Sequence, residues 1–330
     1  MQVYNQLPEN FVNTRAEDLH KILSGPSLFD LKNAEADAYV FLSVLLHGNE
    51  PTGLKVVQRL LKKYDHQLPF NVLLLVGNVQ AAKDKVRYLS DQQDMNRIWN
   101  GGDSEMEKWA SEVKDYVISK KPIWGLDLHN NTGKNPLYAC VNHLHDELFL
   151  LAGAFSDKVV YFESPEEALS VSLSEHFPTV TLECGHFADL DGVERSFQYV
   201  ENLLSKNEIK EIPYNPNFKL FEVEATVKVR PGLDIYIGDH SEEEAVCFLP
   251  HLENLNFEMA KEGSVLGRSR EESSPLVIYG VEGEDLHDQY IEYIDGRLQL
   301  QADVVPSMIS LDPVIIRQDC LGYFMKEKKI

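Results

Sequence analysis

Residues 39–53 read Tyr-Val-Phe-Leu-Ser-Val-Leu-Leu-His-Gly-Asn-Glu-Pro-Thr-Gly, and they give the clearest sign of the fold in the chain. The first eight form an apolar run that is typical of a buried strand in a parallel sheet. His47 and Glu50 follow in a turn, and apolar residues from 54 to 61 then have helical spacing. Open α/β sheets bind ligands beyond the carboxyl ends of their strands. The two side chains therefore form a zinc-like pair that lacks a third protein ligand.

Composition and charge narrow the class of protein. The chain has 330 residues, of which 43% are hydrophobic and 25% charged, which is enough for one large or two ordinary globular domains. A net charge of -22 argues against nucleic acid or an anionic membrane as a partner. We find no secretory signal, no run near the ~20 apolar residues of a membrane span, and no CxxC among the four cysteines. These features predict a cytoplasmic protein with reduced thiols.

Strand and helix patterns alternate from residue 39 to about residue 204. This alternation predicts an α/β fold with a mostly parallel sheet flanked by helices. The further predicted strands cover residues 70–77, 122–129, 158–162 and 179–185, with a short edge strand at 136–141. Residues 1–35 look like a polar lead-in with one helix at 16–23.

The helical spacing of apolar residues is lost after a linker rich in Pro and Asn near residues 211–217. Apolar and polar residues then alternate, and short apolar runs recur between Gly, Pro and Asp; the last run, at 314–317, is read as a strand. We predict an α/β domain over residues 1–210 and a smaller C-terminal all-β domain over residues 211–330. The histidines of the second domain are expected to be exposed, and they are His240, His251 and His287.

Asp127-Leu128-His129 offers the missing metal ligand. Alternate residues of a strand share a face, so Asp127 and His129 point the same way near a strand end. His129 would complete a set with His47 and Glu50 and leave one open position, as in a catalytic zinc site. Asp127 would then not bind the metal itself but would orient the groups around it as a neighbouring carboxylate. The alternative is that the two side chains only cap the following loop by hydrogen bonds.

Glu183 ends an apolar strand, where an unpaired carboxylate is costly to bury. It therefore lies either in a cleft or in an ion pair. In the first case it would act as a general base that activates water beside the metal and later protonates the leaving group. In the second case it would be a structural salt bridge.

A long irregular connection at residues 78–101 contains two arginines, Arg87 and Arg97. Arg97 follows Asn96, and a guanidinium beside an amide suits the binding of a carboxylate. On so acidic a protein, two arginines near one site would attract an anionic substrate. The alternative is that both arginines pair with acids close to them in sequence, such as Asp84, Asp91 and Asp94.

Four short motifs occur in one order: HGNE at 47–50, DMNR at 94–97, DLHN at 127–130 and ECG at 183–185. Together they resemble the succinylglutamate desuccinylase/aspartoacylase family, a branch of the zinc carboxypeptidase-like hydrolases. The resemblance covers about residues 38–205, and the trailing β domain also fits the family's layout. It implies that zinc is held by His47, Glu50 and His129 and that Glu183 is the general base and acid. The reaction implied is hydrolysis of the amide bond of an N-acyl amino acid.

The same resemblance implies roles for the polar residues of the connection. Arg87 would polarise the scissile carbonyl, Asn96 and Arg97 would bind the carboxylate of the substrate, and Asp94 would support a zinc histidine. The spacing from Arg87 to Asn96 is about two residues longer than in the family. The helix before Glu183 also lacks the arginine that aspartoacylase uses for a second carboxylate. We therefore assign neither N-acetylaspartate nor succinylglutamate as the substrate.

The sequence thus predicts a cytoplasmic, zinc-dependent amidohydrolase that acts on a small anionic N-acyl amino acid. Two alternatives are a zinc carboxypeptidase that acts on peptides and a non-catalytic metal-binding protein of the same fold. The acyl group, the amino acid and any gating by the C-terminal domain are left open. So is the oligomeric state, with a homo-oligomer as one option.

Overall fold

The structure is a computed structural model that describes residues 1–238 and 246–329. The chain forms two compact units. The first contains residues 1–130 and 137–218, and the second contains residues 131–136 and 219–330. The boundary between folding domains at residues 210 and 211 stays a prediction.

The first unit alternates strands and helices as the sequence predicts. Its strands are β1 (Val3–Tyr4), β2 (Ser27–Leu31), β3 (Tyr39–Val44), β4 (Asn71–Val76), β5 (Gly125–Asn131), β6 (Tyr138–Val141), β7 (Lys158–Tyr161) and β8 (Thr179–His186). Its α-helices are α1 (Thr52–Lys63), α2 (Val79–Asp84), α3 (Glu105–Ser119), α4 (Asp146–Phe155), α5 (Leu169–Ser174) and α6 (Leu190–Leu204). Short 3-10 helices cover Phe11–Asn13, Ala16–Lys21, Met95–Arg97 and Ile209–Glu211.

The strands of this unit form a sheet in the order β1-β2-β4-β3-β5-β8-β6-β7. β3 lies parallel to both β4 and β5, and it is buried along its length. Helices cover both faces of the sheet: Phe41 packs in one apolar cluster with α3, whereas Val44, on the other face, lies beside Gly53 of α1. The predicted fold class, a mostly parallel sheet flanked by helices, is confirmed. The carboxyl ends of β3 and β5 therefore meet at one edge of the sheet. His47 follows β3 at this edge, and His129 lies near the end of β5.

Two details of the first unit differ from the sequence prediction. The lead-in is not only polar, because it contributes β1 and β2, and β2 pairs antiparallel with β4. Asp30 interrupts the apolar pattern of β2 in the sequence. Its burial is tolerated because it accepts a hydrogen bond from Tyr116 Oη at 2.6 Å. The segment predicted as an edge strand, β6, is also internal, since it pairs with both β7 and β8.

The second unit is built mainly of strands. They are β9 (Lys219–Val229), β10 (Ile235–Ile237), β11 (Val246–Phe248), β12 (Val265–Ser269), β13 (Leu276–Gly280), β14 (Ile291–Ile294), β15 (Arg297–Leu300), β16 (Val305–Ser307) and β17 (Gly322–Lys328). Two short helices, α7 (His287–Tyr290) and α8 (Pro313–Gln318), and a 3-10 helix at Leu252–Leu255 connect them. The strands pair as β13-β9-β17-β16 and as β10-β11-β12-β15-β14. The prediction of a smaller β-rich region at the C-terminus is confirmed.

The strand predicted at residues 314–317 is wrong, because these residues belong to helix α8. Asp312 accepts a hydrogen bond from Val314 N at 2.8 Å, and Pro313 is the first helical residue. A cap followed by proline starts a helix. These signals outweigh the strand preference of the β-branched residues that follow.

Several smaller expectations concern single side chains. His251 is exposed, His287 is half-buried with Nδ1 3.0 Å from Asp288 Oδ1, and His240 lies outside the described residues. All four cysteine side chains are buried, and burial raises the pKa of Cys184 to about 12. Across residues 1–238 and 246–329, we find no helix with the length and apolar character that crossing a bilayer requires.

Candidate metal centre

The turn after β3 is shaped by close backbone contacts. Leu45 adopts a left-handed conformation with φ of 59°, and its carbonyl accepts a hydrogen bond from Asn78 N at 2.6 Å. Gly48 then passes so close to α2 that a Cβ there would lie 2.2 Å from Ala82 N. Only glycine fits at such a distance. The turn therefore presents His47 and Glu50 in one fixed orientation before α1 begins at Thr52.

The structure brings together His47, Glu50 and His129, the three residues predicted as metal ligands. One ligand atom from each lies within 4.8 Å of the other two, and each residue is at most 4% exposed. Nδ1 of His47 lies 2.8 Å from Oε1 of Glu50, and Nδ1 of His129 lies 2.8 Å from Oε2. Two imidazole nitrogens and one carboxylate on a common centre fit zinc, with positions left for water or substrate.

The other nitrogen of each histidine contacts a second carboxylate. Nε2 of His47 lies 3.0 Å from Asp94 Oδ1, and Nε2 of His129 lies 2.8 Å from Asp127 Oδ2. A carboxylate at Nε2 favours a proton on that nitrogen, so the lone pair of Nδ1 becomes available to a cation once Nδ1 gives up its own proton. Asp127 thus occupies the position predicted for it behind a metal ligand, and Asp94 matches it on the other histidine.

The charges of these groups depend on one another. Burial and Arg87 lower the pKa of His47, but Glu50 and Asp94 outweigh them and raise it. Burial also lowers the pKa of His129, whereas Asp127 and Glu50 raise it well above its usual value. Glu50 has a lowered pKa because the two histidines outweigh its burial. A cation at the centre would satisfy Glu50 in the same way as the protonated imidazoles do.

Glu183 lies on β8, which is the neighbour of β5 in the sheet, and it is 7% exposed. Its Oε2 is buried and has no hydrogen-bond partner among the described residues. Burial raises the pKa of Glu183 to about 7; Glu50 and Asp127 also raise it, while His129 and His47 lower it. Within residues 1–238 and 246–329 this lack of a partner argues against the structural ion pair considered from sequence. A carboxyl group that titrates near neutral pH can accept and return a proton.

Arg87 lies beside the metal centre through Asp94. Its Nε and one terminal nitrogen both lie 2.9 Å from Asp94 Oδ2, and its carbonyl accepts a hydrogen bond from Gly48 N at 3.1 Å. The side chain is 11% exposed. The pairing of Arg87 with a nearby acid, one of the two alternatives from sequence, is thus present. That acid also contacts His47, so the pairing places the guanidinium near the centre.

Asn96 and Arg97 form the 3-10 turn that Asp94 caps through Asn96 N at 2.8 Å. Oδ1 of Asn96 accepts a hydrogen bond from Leu169 N at 2.9 Å, and one terminal nitrogen of Arg97 donates to Asn96 O at 2.8 Å. Arg97 is close enough to help lower the pKa of Asp94. The turn is therefore tied both to Asp94 and to the start of α5. Sequence reasoning had no signal for the tie to α5, because 73 positions separate Asn96 from Leu169.

Sequence reasoning gave no role to Asn130, the residue after His129. Its side chain is 5% exposed and hydrogen-bonds to Thr52 and to Gly185 O. The only sign of this role in the sequence is the position of Asn130 next to a predicted metal ligand, and that position does not predict the bonds to Thr52 and Gly185.

A sequence profile of the succinylglutamate desuccinylase/aspartoacylase catalytic domain matches residues 37–203, a little more than half of the chain. Succinylglutamate desuccinylase from Shewanella denitrificans is 24% identical over 201 residues, and the match covers 52% of this chain and 57% of that protein. The chain thus spans a little over half the length of this relative.

Two solved structures show the same fold. One is succinylglutamate desuccinylase from Chromobacterium violaceum, with a TM-score of 0.57, 19% identity, and 90% of this chain and 86% of that chain covered. The other is murine aminoacylase 3, with a TM-score of 0.59, 18% identity, and 90% of this chain and 98% of that chain covered. The resemblance seen in the four motifs is confirmed by the profile, which spans all of them. The chain belongs to the succinylglutamate desuccinylase/aspartoacylase family.

Proposed function

We propose that the protein is a zinc-dependent hydrolase that cleaves the linear amide bond of a small, anionic N-acyl amino acid. One observation carries the proposal: the His-Glu-His set is buried, and the strand beside β5 carries Glu183, whose Oε2 has no hydrogen-bond partner among the described residues. Membership of a family whose profile is a catalytic domain supports it. The products would be a carboxylic acid and a free amino acid.

His47, Glu50 and His129 would hold the zinc. When bound, zinc acts as a Lewis acid and lowers the pKa of a water molecule towards ~7. Asp94 and Asp127 would keep both imidazoles in the tautomer whose Nδ1 binds the metal. The chain itself must then supply proton transfer, oxyanion stabilisation and substrate positioning.

Glu183 would carry the proton transfers. In its ionised form it takes a proton from the attacking water, and it then gives that proton to the leaving nitrogen, so that the amine departs neutral. Its pKa of about 7 suits both steps at neutral pH. The low exposure of the carboxyl group limits competing exchange with solvent.

Arg87 would stabilise the negative charge that develops on the carbonyl oxygen. Its two bonds to Asp94 hold the guanidinium still, so little reorganisation is needed during the reaction. Asn96 and Arg97 would bind the carboxylate of the amino acid and position the amide. The turn that carries them is fixed by Asp94 and by α5.

The test is an assay of zinc-loaded protein on N-acetyl and N-succinyl amino acids and on dipeptides, each with and without a chelator. We expect release of free amino acid from some N-acyl amino acids, loss of turnover with chelator, and recovery when zinc is returned. Glu183→Gln should keep zinc and lose ~100-fold or more of kcat. Cleavage of dipeptides alone would instead favour a carboxypeptidase. Zinc at one per chain with no turnover on either class would favour a non-catalytic role.

The remaining expectations stay predictions. They are a cytoplasmic location, the absence of a nucleic-acid partner, and an oligomeric state that sequence leaves open. Cell fractionation and light scattering of the purified protein would address the first and the last.

A further inference from the structure

Asn130 uses its side chain to join two segments that lie far apart in sequence. Its Oδ1 accepts a hydrogen bond from Thr52 N at 3.0 Å. Its Nδ2 donates to Thr52 Oγ1 at 2.9 Å and to Gly185 O at 2.8 Å. The side chain is 5% exposed, so each of these bonds is shielded from water. Both donors and one acceptor of a single amide are thus satisfied by two partners.

The first partner, Thr52, fixes the ligand Glu50. Thr52 is the first residue of α1, and the preceding Pro51 makes no side-chain cap. Asn130 therefore supplies an acceptor for one of the N–H groups that a helix start leaves unpaired. Glu50 lies only two residues before Thr52, and its Oε2 also accepts a hydrogen bond from Asn130 N at 3.2 Å. The ligand is held from both sides by one residue.

The second partner, Gly185, lies two residues after Glu183. Gly185 has φ of 80°, a conformation that other residues rarely adopt, and its carbonyl accepts the bond from Asn130. The end of β8 is therefore fixed to the end of β5 by a bond whose donor is the neighbour of His129. This bond couples the position of the Glu183 backbone to that of the metal ligands.

We propose that Asn130 is a positioning residue that sets the distance between the metal-ligand set and Glu183. This inference rests on the proposed function, in which that distance controls proton transfer. Asn130 itself touches neither substrate nor metal in this role. A displacement of ~1 Å between reacting groups is enough to lower a rate by ~100-fold.

Three variants separate this role from a general loss of stability. Asn130→Ala removes the bonds to Thr52 and Gly185 but leaves its main-chain bond to Glu50. Gly185→Ala changes the other end of this connection: a Cβ there meets no atom closer than 3.5 Å, but the left-handed φ is strained for alanine, so we expect the carbonyl to shift away from Asn130. Thr52→Val is the matched control, because it removes only the bond from Asn130 Nδ2 to Thr52 Oγ1; the main-chain bond from Thr52 N, which fixes the start of α1 beside Glu50, and the bond to Gly185 are both kept.

We expect Asn130→Ala and Gly185→Ala to bind one zinc per chain, to keep KM within ~3-fold, and to lose 10- to 100-fold in kcat. Thr52→Val should lower the melting temperature about as much as Asn130→Ala does, but it should keep kcat within ~3-fold of wild type. Wild-type kcat in both alanine variants would overturn the proposal. So would a loss of kcat in Thr52→Val as large as that in Asn130→Ala, because stability alone would then explain it.

A second readout does not depend on turnover. In crystals of zinc-loaded Asn130→Ala, we expect the three ligands to superpose on wild type while the Glu183 carboxyl group moves by ~1 Å. If Asn130→Ala does not fold, the same comparison is made with Gly185→Ala. An unmoved Glu183 would overturn the positioning role. Wild-type protein that cleaves no N-acyl amino acid would refute the proposed function, and the crystallographic comparison would still decide the role of Asn130.

Discussion

Each ligand histidine is held at both ring nitrogens, by Glu50 at Nδ1 and by an aspartate at Nε2. A ring held in this way cannot flip without losing two bonds. These carboxylates would hold the predicted ligands in place before a cation binds, and the removal of one histidine would leave a buried carboxylate without its partner.

His129→Ala should therefore lose zinc and activity together. We expect metal analysis to fall from about one zinc per chain to near zero, with turnover below detection. His145→Ala is the matched control, because His145 is an exposed residue at the start of α4. It should keep both zinc and turnover, and full zinc occupancy in His129→Ala would contradict the ligand assignment.

The raised pKa of Glu183 makes a prediction about stability without metal. The folded-state value of about 7 exceeds the ordinary value of 4.5, so between these pH values the native state binds more protons than the unfolded state. Wild-type stability should fall as pH rises through this window, because the buried group becomes charged. Glu183→Gln lacks this penalty and should be the more stable protein above pH 7, by up to about 3 kcal/mol.

Urea denaturation of chelated protein at pH 4.5, 6 and 8 measures this difference. The advantage of Glu183→Gln should be near zero at pH 4.5 and should level off above pH 7. Glu175→Gln changes an exposed carboxyl group near the end of α5 and should give the same small difference at every pH. An advantage of Glu183→Gln that does not vary with pH would contradict the burial argument.

At the scale of elements, the packing of the turn at residues 45–50 on α2 leads to another prediction. Gly48→Ala would place a Cβ 2.2 Å from Ala82 N and 2.3 Å from Ala81 C, both of them backbone atoms that cannot yield locally. We expect a loss of about 1–3 kcal/mol in unfolding free energy. We also expect roughly tenfold weaker zinc binding, because the turn carries two ligands.

Gly25→Ala is the control for this change. A Cβ at Gly25 meets no atom within 4 Å, and the residue needs no left-handed conformation. Its stability and zinc affinity should match wild type. Zinc binding by Gly48→Ala equal to that of Gly25→Ala would show that the turn tolerates displacement from α2.

Helix α8 replaces a predicted strand, and the contribution of its N-terminal cap can be tested. Asp312→Ala removes the side-chain cap and should cost about 1 kcal/mol. Asp312→Asn keeps an acceptor for Val314 N and should cost little. Thermal or chemical unfolding of both variants checks this, and equal costs would mean that the cap does not hold the helix.

The sequence predicted the elements whose patterns are local and missed the contacts that are not. β3 is a continuous apolar run and α1 has clear helical spacing, so their type could be predicted from nearby residues alone. β2 was missed because Asp30 interrupts its apolar pattern, and the partner that makes burial acceptable, Tyr116, is 86 positions away. The same holds in the site: the motifs indicated three residues that the structure brings together, but the contact between Asp94 and His47 spans 47 positions.

At the scale of the whole molecule, the net charge of -22 should affect the binding of an anionic substrate. The field of the protein repels anions at long range, and salt screens it with a Debye length of ~8 Å at physiological strength. We expect kcat/KM for an N-acyl amino acid to rise about two- to threefold between 10 and 150 mM salt. The matching amide of an N-acetyl neutral amino acid, which has no carboxylate, should show no rise. A fall with salt would mean that Arg87 and Arg97 dominate the approach of the substrate.

The burial of all four cysteines has a practical consequence for spectroscopy. Maleimide reagents need an accessible thiolate, and these side chains offer little of it. A single cysteine introduced at a solvent-facing position such as Lys62 would therefore take a fluorophore or spin label selectively, without prior replacement of the natural four. A pair of such cysteines would allow distance measurements that follow the protein in solution during turnover.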